Sequence, residues 1–354
     1  MTAGKKSRKE KKKSFKLLPI IFIIGMLVVA GAAYAYYYYF KKPNFFPLKT
    51  TYIYIRPDMP FDSVLVQLRN AGKMKDEKSF LLLSDHKKYP GNIKPGRYAI
   101  KPEMNNDALL RNLITGKQTP VKLTFNNIRT IPQFAGRIAD QLMTDSLTWM
   151  AVFQNKTFLS ESGFTYETLP AMFIPNTYEM YWNVSPEKFC ERMKKEYERF
   201  WNPERTAKAG EIGLTPVQVS TLASIVEEET NKKDELPIVA GLYINRLKTG
   251  MKLQADPTVK FAVGDFSLRR VLNVHLGADS PYNTYQNYGL PPGPIRFPSI
   301  RTIDAVLNYT HHNYIYMCAK EDLSGRHNFA VTAQQHNANR DKYIQALNRL
   351  KIYK

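Results

Sequence analysis

Cysteine is scarce in this chain of 354 residues, which holds only Cys190 and Cys318. Two are too few to staple a small scaffold, although in an oxidising compartment they could pair. Their spacing from each other and from the six histidines suggests no metal site, and His311-His312 does not fit the glutamate-spaced zinc patterns. A Gly-x-Ser-x-Gly elbow is missing and neither cysteine is placed as a nucleophile, which argues against histidine-assisted acyl chemistry. No cofactor is expected. Internal repeats are absent, low complexity is confined to a basic tail, and nothing after the first long apolar run resembles a second. Acids are also few: 31 Asp and Glu against 51 Lys and Arg leave a net charge of +20. Such a balance suits an anionic partner, such as cell-wall polymer or lipid headgroups.

What is present begins at the N-terminus. Residues 1–16 carry eight Lys/Arg and one Glu, and Leu17 to Phe40 then run for 24 residues without a charge. A bilayer needs about 20. The leading positive charge predicts a cytoplasmic tail (1–16), a transmembrane helix (17–40) and a body exported across the cytoplasmic (inner) membrane. Tyr34, Tyr36 to Tyr39 and Phe40 would form the aromatic belt of the outer interface. A cleaved signal peptide is the rival reading, since Ala33-Tyr34-Ala35 resembles a small-x-small site. The length of the run and the bulky tyrosines favour retention. The tail contributes +7 of the net charge and the remainder about +13. Nucleic acid is not an expected partner on the far side of a membrane, and no recognition motif for it is evident.

The exported part reads as α+β with two domains. In residues 41–120, a stalk (41–49) with prolines at 43 and 47 leads to a strand at Thr51–Ile55. A helix from Phe61 closes at Gly72, a turn at Lys94-Pro-Gly-Arg-Tyr enters a second strand, and a capped helix from Asn105 ends at Gly116. In residues 121–354, the pattern gives a strand at Val121–Phe125, a helix at Ile131–Met143 and less regular sequence to Tyr178. A surface helix then spans Pro186–Phe200.

Thr215-Pro216 is a helix start. From it Val219, Leu222, Ile225, Val226 and Glu229 recur at three- and four-residue steps, the spacing of one face. Within Glu227-Glu228-Glu229, only the last continues that apolar stripe. Burial, together with like charge from Glu227 and Glu228, should raise its pKa from about 4.3 towards neutrality. An acid protonated near pH 7 can serve as a general acid. The competing reading is a solvated acidic face on a good helix-forming stretch. Helical phase makes Glu229 the buried acid, Glu227 a neighbour that tunes or orients it, and Glu228 solvated.

A second helix, Asp234 to Lys248, carries Asn245 and Arg246 near its end, with Gly250 as the left-handed stop. Gln254, Asp256 and Thr258 then alternate along an extended segment, which would put them on one side. A short helix at Ser267–Val271 precedes Ser280-Pro-Tyr-Asn-Thr-Tyr285 and the Pro/Gly stretch Tyr288–Ile295. Flat aromatics such as Tyr282 and Tyr285, with amides such as Asn283, suit a sugar-binding groove. Ordinary loops are the alternative. His327 reads as structural or as a substrate contact.

These residues resemble a known family. Leu222-Ala-Ser-Ile-Val-Glu-x-Glu-Thr230, Tyr243-Ile-Asn-Arg-Leu247, Leu253-Gln-x-Asp-Pro-Thr258, Tyr282-Asn-Thr-Tyr285 and Gly289-Leu-Pro-Pro-Gly293 are similar to the signature blocks of the YceG-like endolytic murein transglycosylases. They stand in that family's order over roughly 100 residues. The segment Thr51–Gln118 resembles the family's LysM-like module. Asn176 replaces the usual aspartate, Arg296-Phe-Pro-Ser299 replaces the usual Asn-Pro-Gly, and Leu123–Asn127 lacks the usual Pro-Glu-Gly turn.

The resemblance implies Glu229 as the catalytic acid; the candidate substrate contacts beside it are Glu227, Asn245, Arg246, Gln254, Asp256, Thr258, Tyr282, Asn283 and Tyr285. It implies cleavage between N-acetylmuramic acid and N-acetylglucosamine in nascent peptidoglycan, leaving 1,6-anhydro ends and terminating strands beside penicillin-binding synthases. A non-catalytic peptidoglycan-binding scaffold of the cell-wall synthesis or division machinery is the alternative.

Overall fold

The computed structural model describes residues 1–2, 14–268 and 270–350. The expected basic tail lies largely outside them. The chain divides into two units, one of Met1–Pro120 with Tyr181–Asn183, the other of Val121–Met180 with Val184–Lys354. Both mix helices with small antiparallel sheets of two strands each.

In the first unit, α1 (Ser14–Tyr36) continues as a π-helical turn, Tyr37–Lys41. The stretch Pro19–Lys41 is long and apolar enough to cross a membrane. Beyond it come β1 (Pro43–Phe45), β2 (Thr51–Ile55), α2 (Phe61–Asn70), α3 (Glu77–His86), β3 (Gly96–Ile100), β4 (Met104–Asn105) and α4 (Asn106–Thr115). Asn105 caps α4 by accepting from the Ala108 amide at 2.8 Å, and Gly116 closes it at φ 72°. Strand β2 pairs with β3, and β1 with β4. This last pairing corrects one expectation. The segment after the apolar run is no free stalk, because Asn44 and Phe45 are buried and Asn44 bonds Asn106 at 2.7 Å. Prolines at 43 and 47 suggested a spacer; an asparagine able to both donate and accept fastens it instead.

The second unit begins with β5 (Val121–Thr124), α5 (Ile131–Ala139), α6 (Ser146–Phe153), α7 (Lys156–Ser162) and β6 (Thr177–Met180). Helix α5 stops earlier than expected. The stretch read as irregular contains two helices, capped by Asp145 and Asn155. Neither has a clean apolar stripe: on α6 Trp149 and Phe153 are buried while Leu147 is exposed. Helix α8 (Pro186–Phe200) matches its expected range and buries Phe189, Cys190 and Met193. Phe125, Phe134, Trp149, Phe153, Phe173 and Phe189 form an aromatic core, closed by Phe297 from much later in the chain.

Next come α9 (Pro203–Ile212), α10 (Pro216–Glu229), α11 (Leu236–Lys248), α12 (Asp256–Val263), α13 (Asn273–Leu276) and α14 (Ile300–Leu307). The unit ends with β7 (Tyr316–Ala319), β8 (His327–Ala330) and α15 (Ala333–Arg349). A second, mainly aliphatic core surrounds α10 and α11. Two corrections fall here. The expected helix at Ser267–Val271 is replaced by α13, and the segment taken as extended turns helical at Asp256, where Pro257 suits a first turn. Cys190 and Cys318 are both free; burial in the aromatic core pushes the Cys190 thiol up to about 12.

Candidate active site

Helix α10 starts with a capping box: Thr215 Oγ1 accepts from the Gln218 amide, and Gln218 Oε1 accepts from the Thr215 amide at 2.9 Å. Every residue from Val219 to Val226 is buried. The expected one-sided stripe is therefore wrong, because the helix is enclosed all round for two turns. Ser224 Oγ donates to the Thr221 carbonyl while accepting from the Ile295 amide at 3.0 Å, whereas the buried Ser220 hydroxyl has no partner among the described residues. At its C-terminal turn α10 emerges again, and there its three glutamates diverge.

Glu227 accepts from the Ser299 amide at 2.7 Å and lies 3.5 Å from Arg296. Glu228 is not solvated, contrary to the phase argument. It pairs with Arg296 at 2.6 Å and with Arg129 at 2.9 Å, the latter through two guanidinium nitrogens. Arg296 also donates to Asn127 at 2.8 Å and is almost wholly buried. Two arginines brought from distant sequence thus draw Glu228 inward, which a helical wheel does not reveal.

Glu229 accepts a hydrogen bond from the Tyr243 hydroxyl at 2.6 Å. Tyr243 is buried in α11. Solvent still reaches part of Glu229, as a group that must meet a substrate requires, but protein crowds its carboxyl. That burial is the largest influence and pushes its pKa up to about 7. The Tyr243 bond opposes the rise by stabilising the anion, Asp256 adds to it as a like charge, and Arg246 and Lys260 oppose it. The expected source of like charge was Glu227 and Glu228; Asp256 supplies it instead, since both glutamates are matched by arginine. Glu229 is also the last residue of α10, where the helix dipole disfavours an anion.

Asp256 is exposed and accepts from the Tyr285 hydroxyl at 2.7 Å. Burial, then this bond, raises the Tyr285 phenol well above its ordinary value. Arg246 is buried and donates through Nε to the Ile315 carbonyl at 2.7 Å and through Nη1 to that of Leu253. Glu229, Tyr243, Arg246, Asp256, Lys260 and Tyr285 therefore form one electrostatic group.

Other expected contacts stand apart from it as fasteners. Asn245 donates to the His312 and Tyr314 carbonyls at 2.7 and 3.0 Å. Thr258 is fully buried against Thr284 at 2.8 Å, and Asn283 holds the Leu276 and Ala278 carbonyls. Gln254 is exposed at φ 48°, with its backbone N–H donating to the Thr284 carbonyl. Gln254, Asp256 and Thr258 thus do not share one side. Tyr282 packs on Phe261 with ring centroids 4.6 Å apart and lines a cavity of about 410 Å³ with Arg129, Tyr166, Glu167 and Pro294. A smaller recess, between Arg129, Glu228, Lys260 and Phe266, shares Arg129 and Phe261 with that cavity and meets the Glu229 group at Lys260.

Several residues escaped the sequence reading. Tyr243 was visible only as part of a motif, and Arg129, Lys260 and Arg296 carried no local signal. Glu235, buried in α11's N-terminal approach, accepts from Thr230 Oγ1 at 2.9 Å and from the His327 amide at 2.8 Å, and lies 3.1 Å from His327 Nδ1. His327 is thereby a structural tie, through Glu235, between β8 and Thr230, the residue that follows α10. Among the described residues, no group of three or more His, Cys, Asp or Glu is placed to hold a metal ion.

Residues 53–342 match the model of the YceG-like family. The chain is similar to the endolytic murein transglycosylase of Bacillus subtilis (strain 168), with 29% identity over 299 residues, 79% of this chain and 81% of that relative. A relative of the same name from Streptococcus pneumoniae serotype 2 (strain D39 / NCTC 7466) is 28% identical over 310 residues, which is 79% of this chain but only 56% of that relative. A crystal structure of a yceG-like protein from Listeria monocytogenes superposes with a TM-score of 0.56 at 25% identity, covering 82% of this chain and 99% of that one.

Proposed function

We propose that this chain, which belongs to the YceG-like family, is a membrane-anchored lytic transglycosylase that cuts peptidoglycan strands internally with Glu229 as its single acid and base. The observation that carries this is a carboxyl raised to about 7 by burial and gripped on one oxygen by Tyr243. The relatives' name, endolytic murein transglycosylase, supports the substrate class.

Neutral Glu229 protonates the oxygen bridging N-acetylmuramic acid to N-acetylglucosamine. Tyr243 occupies Oε1, so the proton sits on Oε2, facing the substrate. As the bond breaks, the sugar gains oxocarbenium character, and the new carboxylate is stabilised by the Tyr243 hydroxyl. It then takes the proton of the same sugar's 6-hydroxyl, whose oxygen closes on C1 to give a 1,6-anhydro end and regenerates neutral Glu229. Because the nucleophile is intramolecular, the step needs neither water nor a second carboxylate. A hydrolase would place two acids across the bond; here Asp256 is engaged by Tyr285 and acts on Glu229 through its charge.

Arg246, Asp256 and Tyr285 line the approach to the acid, while Glu227 helps fix the turn that presents it. Residues 17–40 would anchor the protein in the cytoplasmic membrane, with the tail inside and the remainder outside. Residues 41–120 would form a LysM-like module that holds glycan, and residues 121–354 the catalytic domain. Cutting nascent strands beside penicillin-binding synthases would end their elongation. Digestion of purified glycan strands followed by mass measurement of the products tests the reading. Ends lacking one water are expected; hydrated ends would make the protein a hydrolase, and binding without release would make it a scaffold.

A further inference from the structure

The geometry points to a second binding surface, a collar of lysines around the exit of α1 that docks the first unit onto anionic phospholipid headgroups. The inference rests on the reading of α1 as a membrane span. It follows from how that helix ends. Helical backbone runs unbroken to Lys41 and enters β1 within two residues, so the folded module starts at the level where an apolar span would meet lipid phosphates.

Four lysines surround this junction, each laid against an aromatic ring. Lys42 Nζ is 4.2 Å from the centre of the Tyr38 ring, Lys87 5.7 Å from Phe40, Lys75 5.8 Å from Phe46 and Lys41 6.0 Å from Tyr36. Rings against the ammonium groups hold the lysine stems down around the junction. Lys87 also pairs with Asp107 at 2.9 Å, whereas the other three make no ion pair within 4.0 Å among the described residues. Of the carboxylates beside them, Asp107 is taken by Lys87, and Asp76 accepts from the Tyr38 hydroxyl and the Ser79 amide. Lys42 and Lys75, with Asp76, Tyr38, Asn44 and Ser79, line a recess of about 200 Å³, large enough for a phosphate group, in which two ammonium groups outnumber one carboxylate. Beside it Phe46 is 43% exposed and Leu48 wholly so, two apolar side chains that water disfavours and an acyl boundary accepts. Cations at phosphate level with apolar groups below them are what an anionic lipid surface recognises.

The test uses the full chain in lipid nanodiscs, one set of phosphatidylcholine alone and one containing phosphatidylglycerol, read by amide hydrogen exchange of residues 42–49 and 73–79. Exchange at least about tenfold slower in the anionic discs is expected; three lysines at about fivefold each at a charged surface set a ceiling of about 100-fold. K41Q/K42Q/K75Q should abolish the difference, and K75E alone should reduce it, with exchange across the β2–β3 pair unchanged as proof that the module stays folded. Equal exchange in both discs would overturn the inference while leaving the span intact. Equal slowing by inorganic phosphate on phosphatidylcholine discs would also overturn it, in favour of a soluble phosphate site. A chain that fails to co-isolate with discs would remove the span itself.

Discussion

Glu228 and Glu229 are neighbours on one helix turn, yet the fold treats them oppositely. Glu228 is charged and matched by Arg129 and Arg296, whereas Glu229 lies in crowded surroundings with a phenol as its one close partner. The first arrangement fixes loops; the second keeps a proton available. The contrast shows how three successive acids avoid raising one another indiscriminately: two are matched by arginine, and the pKa of the third is set by burial against the Tyr243 bond, with smaller influences from Asp256, Arg246 and Lys260.

The largest effect should come from removing the proton itself. Glu229→Gln should lower glycan cleavage by about 10³-fold, within the span of general acid catalysis, measured as anhydro ends released. The same variant sharpens the comparison through stability. A carboxyl raised from 4.5 to about 7 costs nothing when both states are protonated, and its penalty builds as pH rises from about 4.5 to about 7 and stays beyond. Glu229→Gln should therefore be more stable than wild type at pH 8, by about 2 kcal/mol after allowing for solvent reaching the group, and equal to it near pH 4. Thermal melts at the two pH values would decide this.

Breaking the matched side comes next. Arg296→Met leaves Glu228 short of its buried partner and should cost about 3 kcal/mol in denaturant unfolding. Smaller again is Tyr243→Phe, which should slow cleavage about tenfold. Because the phenol stabilises the carboxylate, its loss should also move the alkaline limb of the pH–rate profile to higher pH. Asp256→Asn, the smallest change, should move that limb to lower pH by removing a like charge. Shifts of the same sign in both variants would refute the balance described for Glu229.

Local features were the most legible in sequence. The caps at Asn105 and Thr215 and the glycine stop at Gly116 act within a few residues, so α4 and the start of α10 follow directly from them. Glu229 could be singled out by counting, although the stripe that motivated the count is one arc of a helix buried all round. Helices α6 and α7 were missed because their apolar residues face both core and solvent. The partners of the glutamates were hidden for a different reason: Arg129 and Arg296 lie about 100 and 70 positions away from Glu228, and only tertiary packing brings them there. The extended reading of 254–258 failed because alternation of polar types is also met in a first helical turn beginning with Asp-Pro.

The junction at Tyr37–Lys41 has a mechanical consequence. A helix that flows without slack into a paired strand behaves as an axle fixed to its load. Turning α1 about its own axis would swing the module by the same angle, and a few flexible residues inserted at Lys42 would uncouple the two like a slipped clutch.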